Sequence, residues 1–232
     1  MPIPPLTQLL IFILAFCSIV YELLLAQALS AFLENTVLRY CVTIGLYMFS
    51  MGLGSLAAEG KWTKNPVLTL LKVELFLTVI GGFSLPLLHV LNMVDLPRIA
   101  FSIGAHGLII IIGLLTGLEL PLFFEILRSE KNSPENLVLG INYLGAFTGT
   151  VCFAGFFYPV AGLMATAFLA GSLNALAGVS LITLRPTLPA KMKRAFNGWL
   201  LAQTMILVVI FKCLLFSTPI NEFFMSIYMN QP

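Results

Sequence analysis

Seven apolar stretches dominate the 232-residue chain, and each approaches or exceeds the roughly 20 residues that a membrane-spanning helix needs. We place them at residues 7–31, 38–58, 66–91, 98–127, 136–157, 162–184 and 198–216. Charged residues make up 9% of the chain, whereas an ordinary soluble domain carries about 25%. This excludes a soluble enzyme and a disordered segment. We therefore predict an all-α membrane protein of about seven transmembrane helices, folded as a single polytopic domain over residues 1–232.

Basic residues gather in alternate connections between these helices, which predicts the orientation of the chain. They are Lys61 and Lys64 after helix 2, Arg128 and Lys131 after helix 4, and Arg185, Lys191, Lys193 and Arg194 after helix 6. The opposite side has Arg39 and Arg98. We expect a cytoplasmic N-terminus and an external C-terminus. The net charge of +2, without a polybasic block, excludes nucleic acid as a partner.

A weak internal similarity relates the first three helices to the next three. Glu22-Leu-Leu-Leu in helix 1 corresponds to Glu119-Leu-Pro-Leu in helix 4, and residues 45–54 correspond to residues 140–149. A three-helix unit repeated once must be inverted in the membrane, as in half of a major-facilitator transporter. We predict such a 3+3 repeat, with chance similarity as the alternative.

Several polar residues lie within the apolar helices, where an ionisable group needs a partner or a cavity. Measured from the cytoplasmic ends at 1.5 Å per residue, five of them lie roughly 8–15 Å deep: Glu74, Glu119, Asn142, Asn174 and Gln203. One interpretation is a cation site in a cavity open to the cytoplasm. The other is that the carboxyls stay protonated and hydrogen-bond between helices, serving packing alone. Glu74 and Glu119 should lie at one level in a hairpin of helices 3 and 4, sharing a proton or a cation.

Glycine and proline positions predict the local shapes of the helices. Pro86 and Pro121 leave the carbonyls of Gly82 and Gly117 without a donor, so we expect bends in helices 3 and 4. The GxxxG stripes at 113–117 and 145–149 allow close helix contact, and we favour internal packing over dimerisation.

We expect no cofactor and no metal. The run Gly52-Leu-Gly-Ser ends a membrane helix and lacks the βαβ unit of a dinucleotide site. His89 and His106 lie at different depths, which disfavours haem ligation.

The motifs together resemble the membrane-embedded N-terminal half of the fused, integral-membrane spermidine synthases of bacteria. The resemblance rests on residues 21–27, 43–55, 117–122 and 142–146, and on Glu74, Pro159, Gly162 and Asn174. It implies a bacterial inner-membrane location and a ligand site at Glu22, Glu74, Glu119, Asn142, Tyr143 and Asn174. In that family a soluble aminopropyltransferase domain follows, with a Rossmann-like sheet and acidic residues that hold the diamine.

Two departures from the family pattern limit what the resemblance implies. No stretch of this sequence matches the catalytic domain, so we expect no aminopropyltransferase activity from the chain alone and assign no catalytic residue. Asn142 stands where the family pattern has Asp, which weakens an inherited polyamine site.

Three functions follow as hypotheses. The first is a non-catalytic accessory subunit or a module that binds a small, polyamine-like cation. The second is the membrane half of a split aminopropyltransferase whose catalytic chain is a separate soluble subunit. The third is a purely structural subunit of a larger membrane complex. In each case the partners are the lipid bilayer and other proteins.

Overall fold

The computed structural model describes residues 5–58, 62–94, 97–128 and 135–229, and every regular element within them is helical. The α-helices are α1 (Pro5–Leu33), α2 (Thr36–Ala57), α3 (Pro66–Gly82), α4 (Ser84–Met93), α5 (Arg98–Leu127), α6 (Glu135–Cys152), α7 (Gly162–Ser180), α8 (Ala190–Leu215) and α9 (Ser217–Met229). A π-helical segment, Phe153–Ala161, joins α6 to α7, and a 3-10 segment, Leu181–Thr187, follows α7. Lys61 and Lys131, which we used to predict the orientation, lie outside the described residues.

Five uninterrupted helical stretches in the described part of the chain are long and apolar enough to cross a membrane, and the pair α3–α4 makes a sixth. One of the five covers residues 135–187 and contains both α6 and α7. The chain reverses within it at Gly162, whose φ of 77° favours glycine. Accordingly, α6 runs parallel to α1, with Gly145 against Phe12 and Gly149 against Phe16. In contrast, α7 runs antiparallel to α1.

The third predicted helix is two helices. α3 and α4 meet at Phe83 with a bend of 45°. The bend lies next to the carbonyl of Gly82, which Pro86 leaves without a donor. The predicted bend in helix 3 is thereby confirmed. α5 continues through Pro121 as one helix, and the bend that we expected there stays a prediction.

The last third of the chain departs from our predicted bounds. Residues 153–157, which we placed in a regular fifth helix, are π-helical. α8 begins at Ala190 rather than residue 198, because Lys191, Lys193 and Arg194 form its first turns instead of a loop. A prediction from hydropathy places the end of a membrane span where charged residues begin. Lysine and arginine are nevertheless good helix formers, so the helix itself extends beyond the apolar run. α9 was not predicted at all.

Glycines determine how closely the helices pack. α2 and α5 lie parallel, and a Cβ on Gly54 or Gly117 would lie 2.2 or 2.1 Å from a backbone oxygen of the facing helix. Gly145 and Gly149 make the same kind of contact with α1. Both predicted GxxxG stripes therefore serve contacts within the chain, which confirms internal packing.

Helices α1, α3, α5 and α7 form the centre of the bundle and are buried over much of their length. α2 and α8 expose most of theirs. Their outward side chains are large and apolar, for example Phe49 and Leu56 on α2 and Met205 and Phe211 on α8. An apolar outer surface over buried polar groups is the distribution expected of helices that face lipid.

Candidate functional site

A cavity of about 370 Å³ lies between α1, α2, α5 and α6, towards the end of the bundle where α1 begins. Four of the six residues that we predicted as ligand-binding line it: Glu22, Glu119, Asn142 and Tyr143. They are up to 121 positions apart in the sequence, and the fold brings them to one space. We call this space the carboxylate cavity.

The two carboxylates lie on the central helices and are largely buried, with exposed fractions of 8% for Glu22 and 7% for Glu119. Asn142 is half-buried, and Tyr143, which is 69% exposed, lies at the outer edge of the cavity. The acidic groups therefore form the inner wall, and the amide and phenol groups of α6 lie nearer the outside.

Most of the remaining lining is apolar, with hydroxyl groups between. Apolar side chains come from all four helices, among them Leu14, Met48, Leu120 and Phe123, and the hydroxyls are those of Ser18, Ser55 and Thr116. The described residues contribute no lysine or arginine to this lining. A lining that combines two carboxyls with apolar surface complements a molecule that carries positive charge and also methylene groups.

Close packing by glycine gives the cavity its walls. Gly117 is one of the lining residues and packs directly on the backbone of α2 at Met51. On the other side, Gly145 and Gly149 bring α6 onto α1. These contacts hold α2 against α5 and α6 against α1, so the backbone that bounds the cavity has little room to shift.

The other two predicted ligand residues, Glu74 and Asn174, do not line the carboxylate cavity. They are bonded to each other, since Asn174 Nδ2 donates to Glu74 Oε2 at 2.9 Å. Our expectation of one cavity shared by polar groups at one depth is therefore wrong for this pair. Glu74 lies on α3 and faces α7, and Asn174 lies on α7 and faces α3, so neither is directed towards α1 and α6.

Glu74 and Asn174 belong to a buried cluster that also contains Thr78 and Gln203. Asn174 Nδ2 and Gln203 Nε2 both donate to Thr78 Oγ1, at 3.3 and 3.2 Å, and the Thr78 hydroxyl donates to the backbone oxygen of Glu74 at 2.7 Å. All four side chains are at most 1% exposed. We had not singled out Thr78, although its place one turn after Glu74 is a signal that could have indicated it.

α3, which carries Glu74, packs against α5, which carries Glu119, as expected for this hairpin. Glu74 bonds to α7, however, while Glu119 borders the carboxylate cavity. The two groups therefore belong to neighbouring sites rather than to a single one. That they share a proton or a cation stays a prediction.

The sequence also did not indicate a buried tyrosine beside the cavity. Tyr47 is fully buried, and its hydroxyl donates to the backbone oxygen of Ser18 at 3.0 Å and lies 3.2 Å from the Ser18 hydroxyl. This contact ties α2 to α1 on the cavity wall.

No group of three or more His, Cys, Asp and Glu side chains suited to a metal occurs among the described residues. His89 lies between the rings of Phe32 and Phe224, and the Nδ1 atom of His106 lies 2.6 Å from the backbone oxygen of Ser102.

Comparison with known proteins identifies relatives with consistent names. A polyamine aminopropyltransferase of Leptospira interrogans is 37% identical over 166 residues, which are 71% of this chain and 32% of that protein. Polyamine aminopropyltransferase 1 of Streptomyces coelicolor is 34% identical over 75% of this chain and 33% of its own length. Polyamine aminopropyltransferase 2 of Aquifex aeolicus is 34% identical over 84% of this chain and 40% of its own.

No family model matches the chain, and no solved structure does. The resemblance predicted from the sequence motifs is nevertheless confirmed by these relatives. The chain spans only about a third of their length, so it is related to polyamine aminopropyltransferases through one part of them.

Proposed function

We propose that this chain is a non-catalytic integral membrane protein that binds a small polyamine-like cation in the carboxylate cavity and acts as an accessory module. The observation that carries the proposal is the convergence of Glu22 and Glu119 on one largely apolar space of about 370 Å³. The names of the relatives add that those proteins act in polyamine chemistry.

The chemistry of the cavity favours a linear diamine or triamine. Such a molecule carries an ammonium group at each end and methylene groups between them, which suits a lining of two carboxyls and many apolar side chains. An ammonium group in the cavity can donate charge-assisted hydrogen bonds to the carboxylates of Glu22 and Glu119, and the methylene groups can contact the apolar side chains. A metal ion would leave most of the lining unused.

Thermal unfolding of the purified chain in the presence of putrescine or spermidine tests the proposal, with Glu119→Gln as the main variant. Both ligands should raise the melting temperature of the wild type but not that of Glu119→Gln. Glu125→Gln is the matched control, because Glu125 lies on the same helix, outside the cavity lining, and pairs with Arg128 at 3.5 Å. It should respond like the wild type.

A monoamine of similar size, butylamine, tests the two-carboxylate arrangement. Butylamine can pair with only one carboxyl, so it should barely raise the melting temperature of the wild type. Glu22→Gln should lower the response to putrescine to that same low level. A wild type whose melting temperature is indifferent to all of these amines would contradict the proposal. Packing alone, as in a structural subunit of a larger complex, would then be the better account of the buried carboxyls.

The distribution of basic residues supports a bacterial inner-membrane location with a cytoplasmic N-terminus. The bundle topology places Lys64, Arg128, Arg185, Lys191, Lys193 and Arg194 at the end where α1 begins, and Arg39 and Arg98 at the other end. Labelling of single cysteines at positions 64, 128 and 193 should occur from one side of the membrane only. Labelling of these positions from different sides would contradict the topology.

We also propose that α1–α7 form an inverted repeat of two three-helix units, like half of a major-facilitator fold. In this repeat α1 corresponds to α5, and α2 corresponds to α6. The contact between α1 and α6 therefore has the contact between α5 and α2 as its counterpart, and both contacts are present. Both pairs are parallel, and both use glycine: Gly149 meets α1 near Phe16, and Gly54 meets α5 at Leu114. These positions correspond in the sequence similarity that motivated the repeat.

A second candidate function is the membrane half of a split aminopropyltransferase. It is favoured by the partial coverage of the relatives, two-thirds of whose length has no counterpart in the chain. A separate soluble subunit would then supply catalysis. Co-purification of an aminopropyltransferase with the tagged chain from native membranes would support this function, and purified chain that converts putrescine by itself would refute it.

A further inference from the structure

The buried cluster of Glu74, Thr78, Asn174 and Gln203 contains three oxygen atoms without a hydrogen-bond partner: Glu74 Oε1, Asn174 Oδ1 and Gln203 Oε1. Each belongs to a side chain that is 0–1% exposed. Buried acceptors are almost always paired in folded proteins, so three in one cluster indicate that something else contacts them.

The orientations of the two amides are dictated by their neighbours. Asn174 Nδ2 faces the backbone oxygen of Glu74 at 3.1 Å, and Gln203 Nε2 faces the backbone oxygen of Ala175 at 3.4 Å. A carbonyl oxygen can only accept, so turning either amide around would place oxygen against oxygen. The free atoms of both amides are therefore oxygens.

The side chains also converge in space, at Gly178 of α7. A Cβ atom on Gly178 would lie 2.4 Å from Gln203 Nε2 and 3.1 Å from the Cβ of Glu74. Glycine at this position allows the glutamine of α8 and the glutamate of α3 to approach each other, and Asn174 lies one turn before it.

From these contacts we propose that the cluster binds a monovalent cation of the size of Na⁺, held by Glu74 Oε1, Asn174 Oδ1 and Gln203 Oε1. Hard cations prefer oxygen ligands of this kind, carboxylate and amide together. One carboxylate balances one positive charge, whereas a divalent ion would leave an uncompensated charge in a dry interior. A proton on Glu74 would pair with only one of the two amide oxygens.

This site is separate from the carboxylate cavity. None of its four side chains lines that cavity, and its ligands come from α3, α7 and α8. Cation binding here would hold these three helices together. The inference therefore goes beyond the proposed function and does not need the polyamine site to exist.

Thermal unfolding of the purified full chain in NaCl, KCl and choline chloride at equal ionic strength tests the proposal. Na⁺ at ten times its half-saturating concentration should raise the melting temperature of the wild type by about 3–6 °C over choline. K⁺ should have a smaller effect. Glu74→Gln should lose the response and keep the fold, because the new amide nitrogen can donate to the two free oxygens.

Two further variants keep the outcome interpretable. Gln203→Met removes one ligand and should raise the half-saturating Na⁺ concentration at least tenfold, which equilibrium binding of radioactive ²²Na⁺ measures directly. Glu119→Gln should retain the Na⁺ response while losing the polyamine response, so failure of one site is distinguishable from failure of the other.

A wild type with the same melting temperature in NaCl and choline chloride, and without ²²Na⁺ binding, would overturn the proposal. A buried water beside protonated Glu74 would then account for the three oxygens. A Glu74→Gln variant that responds to Na⁺ like the wild type would overturn it equally.

Discussion

Gly54→Ala should destabilise the protein by forcing α2 and α5 apart. The new Cβ atom would lie 2.2 Å from the backbone oxygen of Leu114, whereas ordinary contact begins at 3.4 Å. Because the atoms that collide with it belong to the backbone, no side-chain rotation can relieve the clash, and the helices must separate by about 1 Å. Overpacking of this kind costs about 1–3 kcal/mol.

Gly45→Ala is the matched control, since it lies on the same helix and a Cβ there meets nothing within 4 Å. Alanine is favoured over glycine within a helix by up to about 1 kcal/mol, so this variant should be as stable as the wild type or more stable. Thermal unfolding of both variants in detergent, followed by circular dichroism, measures the difference. Equal melting temperatures for Gly54→Ala and Gly45→Ala would refute the packing argument.

Three further substitutions test contacts elsewhere in the bundle. Tyr47→Phe removes the hydrogen bond to Ser18 without changing the ring, and it should cost about 0.5–1.5 kcal/mol in chemical denaturation. Ile210→Ala empties the space between the glycines of α3 and α7 that face it, and it should lower stability by about 2–5 kcal/mol. Asn35 has a φ of 56°, and its side chain accepts a hydrogen bond from the backbone N–H of Leu38 at the start of α2. Asn35→Ala should lower the stability measured by thermal unfolding by about 1 kcal/mol, and Asn35→Gly should lose much less, because glycine adopts a positive φ without strain.

The local features of the fold were predictable because they depend on neighbouring residues. A run of apolar residues determines that a segment is helical and avoids water, and the run that begins at Pro66 was assigned correctly in that sense. Pro86 predicted the bend between α3 and α4, because a missing donor acts on the carbonyl four residues earlier. The start of α8 was missed, because hydropathy measures the preference for lipid and not the tendency to form a helix.

The composition of the site was partly predictable for the same reason. A carboxyl within an apolar helix is costly wherever it lies, so Glu22, Glu74 and Glu119 could be singled out without a structure. Ser18 could not, since a hydroxyl within a helix can bond to its own backbone and carries little information alone. Thr78 was missed for the same reason, and only its spacing from Glu74 could have indicated it.

The sequence by itself determined that the chain is an all-α bundle of apolar helices with a few polar groups inside them, because hydropathy and residue type are properties of consecutive residues. Only the tertiary structure decided which polar groups meet. Glu22 and Glu119 face one cavity with Asn142, whereas Glu74 bonds to Asn174, 100 positions away. That division depends on the rotation of each helix about its axis and on its choice of neighbour. Both are set by close contacts between glycines and side chains far apart in the sequence, which no local pattern of hydropathy records.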